Sequence, residues 1–242
     1  MGRRFDTIQP MLASQWDWWV RSDAGLGARV GIGVAIFAAL AIVELRRKGK
    51  DARRWREYVF LVVCVATAMA YGVLNDLVTA SISWEYFYYG KGLDAIVGPQ
   101  TPPRESILLW HAAMVGLKAT WTAGLIGGVA ILMANNPRRG RPQLPYSVLY
   151  RVVPLLILGA MTCAGICGIL GYAGVFARFM GDFADLVRED LFRPHRFMCV
   201  YGMHFGAYVG GAIGAMAAVL WVVRRRKLAA EALARCAGHQ TS

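Results

Sequence analysis

Residues 58–75 read YVFLVVCVATAMAYGVLN, eighteen residues in succession without a charged side chain. A transmembrane helix needs about 20 apolar residues to cross a hydrocarbon core about 30 Å thick. Glu57 precedes the stretch and Asp76 follows it, so charges mark both of its ends. The stretch is too long for a membrane β-strand and lacks the alternation of such a strand. It therefore predicts a transmembrane helix.

Four further stretches have the same character. They are residues 30–43, 106–137, 152–177 and 197–223. The first is short and reaches spanning length if Arg29 and Glu44 lie at the membrane interfaces. The second is interrupted only by Lys118. We therefore predict an all-α, polytopic integral membrane helix bundle that forms a single membrane domain over residues 1–242. Its spans are expected at about 25–45, 57–75, 106–134, 152–176 and 197–223.

The composition agrees with this prediction. Hydrophobic residues make up 57% of the 242 residues and charged residues 17%, and the mean hydropathy is +0.41. Soluble domains are usually about 45–50% apolar and about 25% charged. These values exclude a disordered chain, a nucleic-acid-binding domain in water and an ordinary cytosolic enzyme.

The net charge of +12 is unevenly distributed. Segments 46–57, 138–151 and 224–242 carry seven, four and five Lys or Arg, whereas segments 76–105 and 178–196 carry two and four. Cytoplasmic loops of membrane proteins carry the excess of positive charge. The distribution predicts that the N-terminus lies outside and the C-terminus in the cytoplasm. We expect a multi-pass protein of the bacterial inner membrane. The expected partners of the basic residues are membrane lipids and not nucleic acid.

Glycine recurs every four residues in the last predicted helix. The positions are Gly202, Gly206, Gly210 and Gly214. Ridges of small residues let two helix backbones approach closely. This ridge is compatible with tight packing inside the chain and with a homo-oligomer, and the sequence does not choose between them.

Polar side chains in the predicted helices define a candidate site, because polar groups in lipid are unfavourable without partners. His111 and Lys118 share a face of the third helix. His204 and Tyr208 share a face of the fifth, and Asp76 closes the second. Counted from the helix ends, Asp76, His111 and His204 lie in the outer half of the membrane. The pattern predicts a polar pocket that opens outward.

One function that fits is a membrane enzyme. Carboxylate and imidazole ligands suit Zn, Fe or Mn, so a divalent transition metal is the expected cofactor. No HExxH or comparable local motif occurs, so each ligand would come from a different place. The expected ligands are Asp76, Glu85, His111 and His204. The candidate catalytic residues are Asp76, Glu85 and His204. Lys118, Tyr86 and Tyr208 are candidates for cofactor binding.

Two other functions remain open. A proton- or ion-coupled transporter or channel would explain Lys118, which is the only charge deep in a predicted span and should face the bundle interior. Five spans without an inverted repeat are unusual for a secondary transporter unless the protein oligomerises. An accessory subunit of a larger membrane complex is the third possibility.

Asp76 and Glu85 are nine residues apart, which places them on opposite faces of a continuous helix. Both can reach one pocket only if the helix ends or bends between Thr79 and Trp84. The Ser and Thr hydroxyls in this stretch favour a break, because they compete for backbone hydrogen bonds and can cap a new turn. We expect Glu85 to fold back over the pocket toward Asp76 and His204.

Two stretches resemble a signature of uncharacterised polytopic bacterial membrane proteins. Residues 75–79 read NDLVT and are followed by EYF at 85–87; in those proteins a His-Asp-Gln-Val-Thr stretch is followed by Glu-Tyr-Phe. Residues 204–211 read HFGAYVGG and resemble a His-Asn-x-Ser-Tyr-x-Gly-Gly pattern there. Asn75 and Leu77 replace the His and the Gln of the first stretch. The resemblance implies important positions and no particular chemistry.

Overall fold

The computed structural model describes residues 22–136, 141–176 and 193–239, and the regular structure within these ranges is helical. A 3₁₀ turn at Gly49–Asp51 follows the first helix, and a π-helical turn at Tyr86–Gly90 follows the second. The α-helices are α1 (Asp23–Lys48), α2 (Trp55–Ile82), α3 (Asp94–Val97), α4 (Glu105–Ala134), α5 (Tyr146–Tyr150), α6 (Val153–Tyr172) and α7 (Pro194–His239).

Five helical segments are long and apolar enough to cross a membrane, which confirms the predicted all-helical class and the number of candidate spans. They are α1, α2, α4, the α5–α6 segment Tyr146–Tyr172, and Pro194–Cys236 within α7. Two helices extend beyond their predicted ends. Helix α2 continues past Asp76 because that carboxylate is buried against a partner instead of solvated. Helix α7 continues through residues 224–227, because Arg, Lys, Ala and Leu are all good helix formers.

The chain divides into two compact units, Met1–Val62 and Val63–Ser242. In the first unit, the Glu44 carboxylate accepts hydrogen bonds from the backbone N–H groups of residues 53–55 at 2.9–3.2 Å. These groups lie at the start of α2, where helical donors lack partners in their own helix. Glu44 therefore caps α2 and holds the turn that follows α1. The prediction of a single membrane domain stays a prediction.

In the second unit, α6 and α7 pack with their backbones in contact. A Cβ atom at Gly202, Gly206 or Gly210 would collide with a backbone carbonyl of α6. Those carbonyls belong to Cys167, Cys163 and Gly159. The glycine ridge of α7, suggested above as a surface for a homo-oligomer, is thus filled by a helix of the same chain. Oligomerisation itself stays a prediction.

Helices α2 and α4 approach each other in the same way. A Cβ atom at Gly116 would collide with the backbone of Gly72 and would lie 3.0 Å from the carboxyl carbon of Asp76. A Cβ atom at Gly124 would lie 2.7 Å from the carbonyl oxygen of Cys64. This close approach brings the backbone of α4 directly over Asp76.

The C-terminal end of α4 is held by Arg226 of α7, whose side chain is buried. Its guanidinium donates to the carbonyl oxygens of Ala134 and Asn136 at 2.6 and 2.8 Å. It also donates to those of Arg141 and Pro142 at 2.8 and 3.1 Å. The last carbonyls of a helix lack partners in their own helix. Arg226 satisfies carbonyls there and in the following loop. We call this group the Arg226 cluster.

Candidate functional site

The break at the end of α2 positions the candidate site. Helix α2 ends at Ile82, inside the stretch where the sequence predicts a bend. The Thr79 hydroxyl donates to the carbonyl oxygen of Asn75 at 2.8 Å, and the backbone N–H of Tyr86 donates to the Ser83 hydroxyl at 3.4 Å. These are the competing and capping bonds expected of Ser and Thr. The predicted break is confirmed.

Asp76 and His204 form the centre of the site. Their side chains are buried, and His204 Nε2 lies 3.8 Å from Asp76 Oδ1. The Asn75 side-chain amide donates to the same Oδ1 atom at 3.1 Å. Thr79 Oγ1 lies 3.3 Å from His204 Nε2. The sequence placed Asp76 and His204 at similar depth on different helices, and the structure brings them together.

The hydrogen bonds of Thr79 fix the tautomer of a neutral His204. A hydroxyl has one proton, and that of Thr79 goes to the Asn75 carbonyl oxygen. Toward His204 the hydroxyl can therefore only accept, so we assign the ring proton to Nε2. The lone pair of the ring is then on Nδ1. This arrangement gives His204 a basic nitrogen that is not used by Thr79.

Aromatic side chains of the turn after α2 enclose the imidazole. The ring of Tyr86 stacks on His204 with 4.8 Å between centroids, and Phe87 packs edge-on at 5.8 Å. Phe197 of α7 packs against Tyr86 at 5.4 Å. Burial raises the pKa of Tyr86, so its phenol remains protonated at neutral pH. Tyr86, a candidate from the sequence, is thus a direct neighbour of His204.

Glu85 contacts the start of α7, and its predicted approach to Asp76 stays a prediction. Its buried carboxylate accepts a hydrogen bond from the backbone N–H of Arg193 at 3.2 Å. Arg193 directly precedes Pro194, where α7 begins. A negative charge at a helix N-terminus interacts favourably with the helix dipole. The geometry therefore makes Glu85 a fixing point for the start of α7.

The predicted metal ligands are not assembled. Among the described residues, no group of three or more His, Cys, Asp or Glu side chains could hold a metal ion. Of Asp76, Glu85, His111 and His204, the structure brings together Asp76 and His204. The expectation of a four-ligand site was wrong because equal depth in the bundle does not determine which helix faces are adjacent.

The cation beside the site is Lys91 and not Lys118. Lys91 follows the π-helical turn, and its Nζ atom lies 5.4 Å from the centroid of the Tyr86 ring. Much of the Lys91 residue is exposed; the protein atoms around it lower its pKa by displacing water, and the Asp76 carboxylate opposes this shift. Lys118 and His111 are not among the residues that line the cavity described next. In the sequence, Lys91 is one of the two positive charges of segment 76–105, and it follows Glu85-Tyr86 by only a few residues.

A cavity of about 350 Å³ begins at this site and runs between the helices of the second unit. Tyr71, Asn75, Asp76, Lys91, His204 and Tyr208 line its polar end. Apolar and small residues of all four long helices line the rest. Along α2 the lining reaches from Asp76 to Cys64, which is about 18 Å at 1.5 Å per residue. The cavity therefore has one polar end and a long apolar body.

The cavity opens sideways between the helices. Several of its lining residues are exposed, among them Ile126 of α4 by 69% and Tyr208 of α7 by 56%. At the polar end, the Tyr71 hydroxyl is the one buried side-chain oxygen or nitrogen in the described ranges without a hydrogen-bond partner. Buried polar atoms normally have a partner from the protein, water or a ligand. The site thus has a donor to offer to a bound molecule.

Comparison of the chain with protein-family models, with curated proteins and with solved structures finds no match. The sequence resemblance described above stays a prediction. The function is therefore argued from the geometry of the site.

Proposed function

We propose that this protein is a multi-pass protein of the bacterial inner membrane that binds a lipid-like, amphipathic molecule between its helices. The polar group of that molecule would contact the Asp76–His204 pair, and its apolar part would lie in the body of the cavity. The observation that carries the proposal is the shape of this cavity, which is about 18 Å long, polar at one end and mostly apolar along the rest.

The lateral opening supports a ligand that enters from the membrane. If the five helices cross a bilayer, the exposed Ile126 and Tyr208 face hydrocarbon, because these residues lie on spanning helices. An amphipathic molecule can then enter sideways without passing through water. A water-soluble substrate would instead have to lose the water around its polar groups in an apolar passage, which is unfavourable.

The chemistry available at the polar end is proton transfer. His204 Nδ1 can accept a proton, and the neighbouring Asp76 carboxylate would stabilise the imidazolium that forms. This arrangement supports an enzyme that acts on the polar group of its ligand, with Asp76 and His204 as the catalytic pair. Tyr86 would hold the imidazole ring by stacking.

The experiment that tests the proposal uses two glycines with open space around them. Gly211 lines the cavity and Gly165 does not, and a Cβ atom at either position would meet no other atom within 4 Å. Gly211→Phe should place a ring in the cavity without a clash at its Cβ atom, whereas Gly165→Phe adds the same side chain on an exposed face of α6.

Native mass spectrometry of the protein, purified in mild detergent, should show a bound amphipathic molecule. We expect this molecule in the wild type and in Gly165→Phe, and at least about tenfold lower occupancy in Gly211→Phe. Equal occupancy in all three proteins would contradict the proposal.

The proposed orientation can be tested separately. A periplasm-active reporter fused after Gly98 should be active, and one fused after Arg141 should be silent, because positive residues stay in the cytoplasm. The reverse pattern would overturn the orientation. Activity at both sites would mean that the number of spans is wrong.

Proton-coupled transport is the second candidate. It is favoured by the direct juxtaposition of two buried titratable groups, Asp76 and His204, since such pairs inside membrane helices form proton relays. Proteoliposomes with a pH-sensitive dye should show proton flux that Asp76→Asn abolishes and Glu105→Gln, at the exposed start of α4, preserves. Absence of flux in the wild type would eliminate this candidate.

A further inference from the structure

We infer that the occupant of the cavity is an anionic amphiphile with a single hydrocarbon chain, whose carboxylate or phosphate head lies beside Lys91 and the Tyr71 hydroxyl. This inference rests on the proposed function and specifies its ligand. It is carried by the length and volume of the cavity and by the polar groups at its polar end.

The dimensions of the cavity fit one chain. The two leaflets share a hydrocarbon core about 30 Å thick, so one lipid chain spans about 15 Å. The lining of α2 from Asp76 to Cys64 covers about 18 Å. A volume of about 350 Å³ is at the lower end of the range for ligand sites, about 300–1,000 Å³. A lipid with two chains of this length would need a wider cavity.

The polar end offers donors and a positive charge. The Asp76 carboxylate already accepts from Asn75 and faces the ring proton of His204. Within the described part of the chain, Lys91 forms no ion pair, and its ammonium rests over the Tyr86 ring. The Tyr71 hydroxyl has no partner in those residues either. An ammonium and a hydroxyl both donate, so an oxygen-rich anion is the complementary head group.

A cationic head is disfavoured at the same position. The face of Tyr86 that could bind a cation is covered by Lys91, with 5.4 Å between Nζ and the ring centroid. A second cation there would face the lysine ammonium at close range. The site should therefore bind an anionic amphiphile more tightly than a cationic amphiphile with the same hydrocarbon chain.

The test measures binding of four probes to the full-length protein in a neutral maltoside detergent. The probes are dodecanoate, dodecyl phosphate, dodecyltrimethylammonium and inorganic phosphate, and binding is followed by the shift in thermal unfolding. The variants are Lys91→Met and Gly211→Phe. Arg196→Met is the matched control, since Arg196 is an exposed cation near the start of α7 that does not line the cavity.

The two anionic amphiphiles should stabilise the wild type and Arg196→Met, and the cationic amphiphile and inorganic phosphate should not. Lys91→Met should weaken binding of the anionic amphiphiles by about tenfold or more, and Gly211→Phe should abolish it. Stabilisation by inorganic phosphate alone would mean that the site binds a free anion and would overturn the inference.

The failure of the inference can be distinguished from the failure of the proposed function. If anionic and cationic amphiphiles bind equally, and Gly211→Phe abolishes both, the cavity binds amphiphiles without selecting charge; the inference is then wrong and the proposed function stands. If Gly211→Phe changes the binding of none of the probes, the inference and the proposed function are both wrong. Unchanged anion binding in Lys91→Met would overturn the role of Lys91.

Discussion

The Arg226 cluster and the Asp76–His204 site are two buried polar groups that differ in how completely their hydrogen bonds are satisfied. The Arg226 guanidinium donates to four carbonyl oxygens at 2.6–3.1 Å. At the other site, the Asp76–His204 distance is 3.8 Å and the Tyr71 hydroxyl has no partner in the described residues. Complete networks make a structure rigid, whereas incomplete ones leave groups for a ligand. The difference suggests that Arg226 serves the fold and Asp76 serves the function.

The largest expected effect on stability follows from breaking the Arg226 cluster. Arg226→Met leaves the carbonyl oxygens at the end of α4 without their donor, so the free energy of unfolding should fall by about 3 kcal/mol or more. The neighbouring Arg225 is exposed and its guanidinium lies 5.1 Å from the Trp221 ring centroid. Arg225→Met should therefore cost no more than about 1 kcal/mol. Thermal unfolding in detergent measures both, and equal losses would contradict the role of Arg226.

At the functional site, the opposite effect on the free energy of unfolding is expected. Asp76→Asn keeps the shape of the side chain and removes a buried charge whose pairing is incomplete. The free energy of unfolding should stay unchanged or rise by about 1 kcal/mol, while retention of an anionic amphiphile rises, because a negative charge beside its head group is removed. Thermal unfolding and native mass spectrometry of the same preparation measure the two effects. Strong destabilisation with normal ligand retention would make Asp76 a structural residue.

The smallest expected effect on stability concerns the Tyr71 hydroxyl. Tyr71→Phe removes a group that makes no hydrogen bond to the described residues, so stability should change by less than about 0.5 kcal/mol. Binding of dodecyl phosphate should weaken about fivefold, because the head group loses a donor. Tyr172→Phe, at an exposed residue of α6 outside the cavity, is the control and should change neither property.

The sequence predicted the helices better than it predicted the site. Long apolar stretches determine spans through length and hydropathy alone, and all five candidate spans are present. Two helices continue past the predicted ends of their spans, where a charge is satisfied inside the fold. Asp76, paired with His204, and Arg226, bonded to carbonyl oxygens, lie within these helices.

At the site, helix periodicity identified Asp76, Tyr86 and His204 as candidates and could not exclude others. His111 and Lys118 lie on α4 and do not line the cavity, although Val115 on the same face does, so sharing a face does not decide which side chains reach the cavity. Lys91, by contrast, lines the cavity and was not predicted as a site residue. It lies in a connecting segment, and hydropathy does not indicate that the π-helical turn brings this segment over Tyr86.

The most direct test of the central claim is a map of where a lipid chain contacts the protein. A photoreactive long-chain fatty acid with its reactive group in the middle of the chain can be crosslinked to the purified protein and located by mass spectrometry. We expect adducts on the cavity-lining residues within 119–131 of α4 and 207–215 of α7, and their loss in Gly211→Phe. Adducts confined to Leu158, Ile166 and Ile169, exposed residues of α6 outside the cavity, would contradict the central claim.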